Sequence, residues 1–158
     1  MRIEISITEQ KLRLLDEAGA VLAEYAVSTA KNGVGERKNS GCTPRGKHII
    51  RAKIGAGEPV GSVFIGRRST GEIWSRQLAA ENPERDFILT RILWLSGCEV
   101  GVNRLGDVDT MQRYIYIHGT PDTEPVGVAC SHGCVRMRNA DVLELFERVA
   151  VGTPVVIR

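Results

Sequence analysis

The chain opens on strict alternation: Arg2-Ile3-Glu4-Ile5-Ser6-Ile7-Thr8 puts isoleucines on one side and polar groups on the other. A period of two is the mark of a half-buried strand. Lys11 to Leu15 and Val21 to Ser28 continue it with the turn-forming Asp16-Glu17-Ala18-Gly19 between them, so the first third reads as a β-meander. Thr29 to Gly46, rich in Gly, Asn, Ser and Lys, breaks the pattern and is expected to be a mobile loop; Lys47 to Ile54 returns to strand character. Glycines and Pro59 punctuate Gly55 to Arg76, where Phe64 and Trp74 stand as isolated large apolar residues expected to plug onto the sheet. Phe87 to Leu95 is the most apolar run and reads as a core strand. Tyr114-Ile115-Tyr116-Ile117 alternates once more and ends at His118. The period then changes: Val142, Leu143, Leu145, Phe146 and Val149 recur at spacings of three and four, opposite Glu144, Glu147 and Arg148. This predicts a helix over Ala140 to Val149 with Asn139 as N-cap and Gly152 as stop, followed by a last strand, Pro154 to Ile157. The pattern is mainly β, with one short amphipathic helix near the C-terminus.

Composition leaves that picture intact. The 158 residues are 42% hydrophobic and 25% charged, without repeat, low-complexity tract or linker, so a single domain over 1–158 is expected. A net charge of +2, with Lys and Arg scattered and no aromatic-interleaved basic stripe, gives no reason to expect nucleic acid as a partner. No apolar run approaches the ~18–20 residues of a helical membrane span, so no membrane partner is expected. With Met1 as the natural start no signal peptide is expected and the expected location is cytoplasmic, where four cysteines stay reduced, whereas a truncated chain would belong to the periplasm or cell wall.

The chemistry concentrates in Ser131-His132-Gly133-Cys134, downstream of Ile117-His118-Gly119-Thr120. A thiol attacks an acyl carbon as thiolate, and at its ordinary pKa of ~8.5 it needs a base or a positive neighbour, which His118, His132 and Arg136 can supply. Gly133 permits a tight turn that exposes the thiol and aims backbone N–H groups at a developing oxyanion. Other readings stay open at this point. His118 can be a strand-end histidine with a structural hydrogen bond; Cys130, His132, Cys134 and His118 can form a zinc site; Cys130 and Cys134 can form a disulfide. Cys98, in an apolar neighbourhood, reads as a packing residue, and Cys42 less clearly so.

His118-Gly119-Thr120, then Ser131-His132-Gly133-Cys134-Val135-Arg136-Met137, then a helix and the closing Gly152-Thr153-Pro154-Val155-Val156-Ile157, resembles the catalytic domain of the L,D-transpeptidases, the YkuD-domain proteins. Thr43-Pro44-Arg45-Gly46 is similar to a Thr-Pro-x-Gly segment of that family. The resemblance implies a YkuD-like β-sandwich of mixed sheets. It also implies Cys134 as nucleophile, His118 as the base oriented by the Gly119 carbonyl, and an oxyanion hole of His132, Gly133 and Cys134 N–H groups. Ser131 is expected to fasten the turn. Arg136 is expected to grip a substrate carboxylate through its planar fork, with Thr120 and Ser131 beside the substrate.

The implied substrate is the peptidoglycan stem, cut before its D-alanine through a thioester, with no metal or organic cofactor. Peptidoglycan stem peptides or muropeptides are thus the expected partners and carbapenems the expected inhibitors. Water as acceptor gives an L,D-carboxypeptidase trimming recycled muropeptides, the reading favoured by a cytoplasmic location. A stem amine gives 3-3 cross-links and a free D-amino acid gives exchange, the alternative. A non-catalytic wall-fragment binding module is the remaining class.

Overall fold

Alternation along the chain becomes ten strands that join in one mixed sheet, in a computed structural model that describes residues 1–158. Strands β1 (Arg2–Ser6), β2 (Lys11–Leu15) and β3 (Val21–Ala26) form the expected antiparallel meander. The last strand, β10 (Pro154–Ile157), lies parallel to β1 and antiparallel to β4 (Gly46–Ile54), so the two ends of the chain close the sheet together. Strand β4 pairs with β7 (Ile88–Gly97), which also holds the hairpin of β5 (Ser62–Ile65) and β6 (Arg68–Ile73). The remaining ladder is antiparallel from β7 to β8 (Tyr116–Thr120) and parallel from β8 to β9 (Val135–Arg138).

The layers of the expected sandwich belong to one continuous, curled sheet. Register shifts at Ile50/Ala52 and at Leu89/Ile92 are bulges, which bend a strand and sharpen its twist, and they fall on β4 and β7 at the centre of the order. Inside the curl lies helix α2 (Asn139–Arg148), whose Val142, Leu145 and Phe146 pack with Ile3, Ile5, Leu12, Leu93, Leu95, Ile117, Val135 and Met137 in one core. Phe64 is buried against Ile92 and Tyr116, and Trp74 packs on Val63, Phe87 and Leu89, as their isolation in sequence predicted. No helix is long and apolar enough to cross a membrane.

Several elements depart from expectation for local reasons. A second helix, α1 (Arg76–Glu81), stands beside the one predicted; Ser75 caps it by accepting the Leu78 N–H at 3.0 Å. Asn139 is the first residue of α2 and not its cap. Its carboxamide oxygen accepts the Thr90 hydroxyl at 2.6 Å, and Arg138 holds the cap position without a side-chain bond. The Tyr114–Ile117 run is split, because Tyr114 takes a left-handed conformation (φ 56°) and the strand starts only at Tyr116. Cys98 is exposed, just past the end of β7, and does not pack as expected. The segment Thr29 to Gly46, read as a mobile loop, has buried ends: Thr29, Ala30 and Thr43 are pinned beneath the Ser131–Cys134 turn.

Candidate active site

Parallel pairing of β8 with β9 sets the site. Ile117 lies across from Val135 and His118 across from Arg136, so Cys134, one residue before β9, falls across from Tyr116. Since side chains alternate, Ile117, Val135 and Met137 enter the core, while Tyr116, His118, Cys134 and Arg136 share the opposite face. One ladder therefore collects thiol, imidazole and guanidinium.

His118 is 1% exposed, and its Nδ1 lies 2.7 Å from the Gly119 carbonyl oxygen. A carbonyl only accepts, so Nδ1 carries the hydrogen and Nε2 is left as the acceptor. Burial lowers the His118 pKa, against the opposing Gly119 bond and the Asp86 charge, so the ring is neutral at pH 7. Gly119 is required by space: a Cβ there would lie 2.6 Å from the Leu89 carbonyl oxygen.

Cys134 was expected to be exposed by its turn; it is half-buried instead. Its Sγ accepts the Tyr116 N–H at 3.3 Å and donates to the Tyr114 carbonyl at 3.4 Å. Burial pushes the thiol up to about 12, with the Tyr116 N–H, Arg136 and Arg113 pulling the other way. The resting pair is a neutral thiol and a neutral imidazole, with no hydrogen bond between them.

The turn before Cys134 is held from two sides. Ser131 Oγ donates to the Cys134 carbonyl at 2.6 Å and accepts the Gly133 N–H at 3.2 Å, so this hydroxyl fastens the turn. Thr43 Oγ1 donates to the Gly133 carbonyl at 2.8 Å and accepts the Ala30 N–H at 2.9 Å. Gly133 has a φ of +136°, which disfavours a side chain, and its N–H is spent on Ser131. Of the three N–H groups expected to serve an oxyanion, that of Gly133 is bonded to Ser131, while those of His132 and Cys134 have no protein acceptor.

Asp86, which the sequence reading did not single out, ties the remaining groups together. Its Oδ2 accepts His132 Nδ1–H at 2.9 Å and its Oδ1 accepts Arg136 Nη2–H at 3.0 Å. Burial alone would raise the Asp86 pKa, but the His132 bond and the Arg136 charge lead the opposing contributions and the net shift is down. Arg136, expected to present its fork to substrate, is 6% exposed with Nη2 committed to Asp86, Nη1 3.7 Å from the Cys130 sulfur and Nε unpartnered. His132 is the exposed member, 77% accessible at its side chain.

Two clefts meet at His132. One, of about 380 Å³, is bounded by Asp86, Thr120, Glu124, Cys130 and Arg136 among others; the second, of about 440 Å³, by Lys38, Asn39, Gln112, Arg113, Tyr114 and Ile115. Thr120, at the end of β8, is thus on the first cleft, and Ser131 lies beneath the turn. The zinc reading fails on geometry, since no three His, Cys, Asp or Glu side chains converge in a metal-binding arrangement. Cys130 and Cys134 are free thiols, which removes the disulfide reading.

A family model described as the L,D-transpeptidase catalytic domain, YkuD, matches residues 1–157. "Probable L,D-transpeptidase YbiS" of Escherichia coli strain K12 is 54% identical over 43 residues, which is 27% of this chain and 14% of that protein. Among solved structures, the L,D-transpeptidase of Xylanimonas cellulosilytica superposes with a TM-score of 0.60 at 19% identity, covering 99% of this chain and 59% of that one. The L,D-transpeptidase LdtMt1, solved in complex with imipenem, gives 0.57 at 19%, covering 99% and 57%. These structural likenesses show the fold. With a family match running almost end to end, the chain belongs to the L,D-transpeptidase (YkuD) catalytic domain family.

Proposed function

We propose that this chain transfers the acyl group of peptidoglycan tetrapeptide stems at the L,D bond before D-alanine, through a thioester on Cys134. The observation that carries it is the shared face of β8 and β9, which sets Cys134 beside a buried His118 whose Nδ1–H is fixed on Gly119 and whose Nε2 is left to accept. On substrate binding the thiol leaves the Tyr114 carbonyl and gives its proton to His118 Nε2 as sulfur attacks the carbonyl carbon. Negative charge develops on the carbonyl oxygen, where the His132 and Cys134 N–H groups are available. Collapse breaks the C–N bond; His118 returns the proton to the departing amine of D-alanine, leaving a Cys134 thioester.

Water is the proposed acceptor, making the chain an L,D-carboxypeptidase; the charged lining of the first cleft (Glu84, Arg85, Asp86, Glu124, Arg136) supports its entry. His118 again accepts the proton, and the thiol is restored. The second cleft on the far side of His132 supports a second reading, in which an amine takes the place of water and the product is a cross-link or an exchanged stem. Mass spectrometry of products from a disaccharide-tetrapeptide, with and without an added D-amino acid, separates the two: loss of D-alanine alone is hydrolysis, and acceptor-containing or dimeric products are transpeptidation. A carbapenem is expected to acylate Cys134, by analogy with the imipenem complex of the similar fold. Intact-protein mass after imipenem treatment, with Cys134→Ala as control, reads this directly, and an unmodified thiol counts against the assignment.

A further inference from the structure

We infer that the cleft at Arg113 is a carboxylate subsite that seats the free α-carboxylate of the residue expelled from Cys134, an inference that rests on the acyl transfer proposed above. Arg113 is half-buried, and every partner of its guanidinium is neutral: the Gly35 carbonyl at 3.2 Å, the Ser40 hydroxyl at 3.3 Å and the Cys42 carbonyl at 2.7 Å. Glu36 is close enough to act on it through charge but is bonded to Arg45 at 3.1 Å, and no carboxylate comes within ion-pair distance of Arg113. A partly desolvated cation without a counterion is costly, and burial accordingly lowers its pKa; an incoming carboxylate removes that cost.

The two clefts differ in sign. Around the second, Lys38, Arg113 and His132 are the ionisable groups besides Tyr114, and no carboxylate lines it. Around the first stand Glu84, Asp86 and Glu124, while its two guanidiniums are already answered, Arg85 by Glu72 at 2.9 Å and Arg136 by Asp86 at 3.0 Å. An anion is therefore drawn to the second cleft. Its position relative to the thiol is also right: Tyr114 and Ile115 line the cleft, the Tyr114 carbonyl holds the Cys134 thiol, and the Cys42 carbonyl that Arg113 grips lies against the Gly133 turn. When the scissile bond is cut before a C-terminal residue, that residue carries its carboxylate one residue's length from the attacked carbon. Arg113, with the exposed Lys38 at the rim, is placed to hold it.

The test compares alkylation of Cys134 by iodoacetate, which brings a carboxylate, with alkylation by neutral iodoacetamide. Taking the ratio of the two rates cancels any change in thiolate fraction or general exposure. In Arg113→Gln the ratio is expected to fall about tenfold, the scale of one charge-assisted hydrogen bond. Lys38→Gln is expected to lower it severalfold; Lys38 is exposed and its bond to the Asp107 carbonyl is made by its backbone N–H, so this variant carries the test alone if Arg113→Gln does not fold. A ratio unchanged in the variants overturns the subsite. Tetrapeptide and its C-terminal carboxamide, compared as donors, complete the test: the carboxamide is expected to raise KM in the unsubstituted protein and to make little further difference in Arg113→Gln. A lowered alkylation ratio with neither peptide cleaved keeps the anion subsite and refutes the acyl transfer. Equal cleavage of the two peptides with an unchanged ratio keeps the acyl transfer and refutes the subsite.

Discussion

Thr43→Val isolates what holds the Ser131–Cys134 turn in place. Thr43 is fully buried, and its hydroxyl does two things at once: it donates to the Gly133 carbonyl at 2.8 Å and accepts the Ala30 N–H at 2.9 Å. Valine keeps the shape and removes both bonds, leaving a buried carbonyl and a buried N–H unpaired at about 1–3 kcal/mol each. The extra methyl group returns about 1 kcal/mol of burial, so the expected net loss is roughly 1–5 kcal/mol. Thr43→Ser keeps the hydroxyl and sheds one methyl, for about 1 kcal/mol. Urea denaturation of the three proteins measures these differences through the midpoint at constant slope. Because the Gly133 carbonyl belongs to the turn that carries Cys134, alkylation of Cys134 should change in Thr43→Val and stay near the unsubstituted rate in Thr43→Ser. A Thr43→Val protein as stable as Thr43→Ser would refute the claim that this hydroxyl clamps the turn.

Asp86→Asn should slow D-alanine release about ten- to a hundredfold, the value of one or two charge-assisted bonds, and shift the His132 Nδ1 resonance in nitrogen NMR; an unchanged resonance would refute the bridge. The depressed Asp86 carboxyl contributes stability that is present above its unfolded pKa near 4 and lost as pH falls through the folded value, so the acid arm of the stability curve should be flatter in Asp86→Asn. His48 runs in a neighbouring window: burial holds it at about 4 against 6.5 unfolded, so the unfolded chain takes up a proton that the folded one refuses, and stability falls as pH drops from 6.5 towards 4. That loss is roughly 3 kcal/mol at 1.36 kcal/mol per unit, and urea midpoints at pH 7 and 4.5 should show it shrinking in His48→Gln. Burial of His118 adds in the same direction and is untouched by that substitution. With its thiol at about 12, Cys134 of the free protein should react with iodoacetamide at a rate that is still climbing with pH at ~9, and a plateau near neutrality would contradict the neutral resting pair.

How much of this was legible in the chain follows from how local each signal is. Ile3 and Ile5 and the Val142–Phe146 face announce their elements because burial on one side writes a period into neighbouring positions, and the Phe87–Leu95 run announces its strand because burial on both faces makes it continuously apolar. Arg68–Ile73 is open on both faces, so β6 leaves no alternation to read, and α1 buries no residue fully and shows no stripe. The Cys134 thiol, the His118 imidazole and the glycine turn are visible as a compact motif. Their supports are not: Asp86 lies in an unremarkable Glu-Arg-Asp-Phe stretch and acts on residues 46 and 50 positions away, and Thr43 reaches across 90. Arg136 shows the same limit from the other side, since nothing local says that its fork faces a carboxylate of its own chain.

The most direct test of the central claim is release of D-alanine from a disaccharide-tetrapeptide by the unsubstituted protein and by Cys134→Ala, with acid-quenched samples digested to locate any acyl group. The account predicts D-alanine release by the unsubstituted protein alone, together with a disaccharide-tripeptide acyl mass on the peptide that contains Cys134. Release that persists in Cys134→Ala, or proceeds without a Cys134 adduct while an acyl group accumulates on another residue, would contradict it.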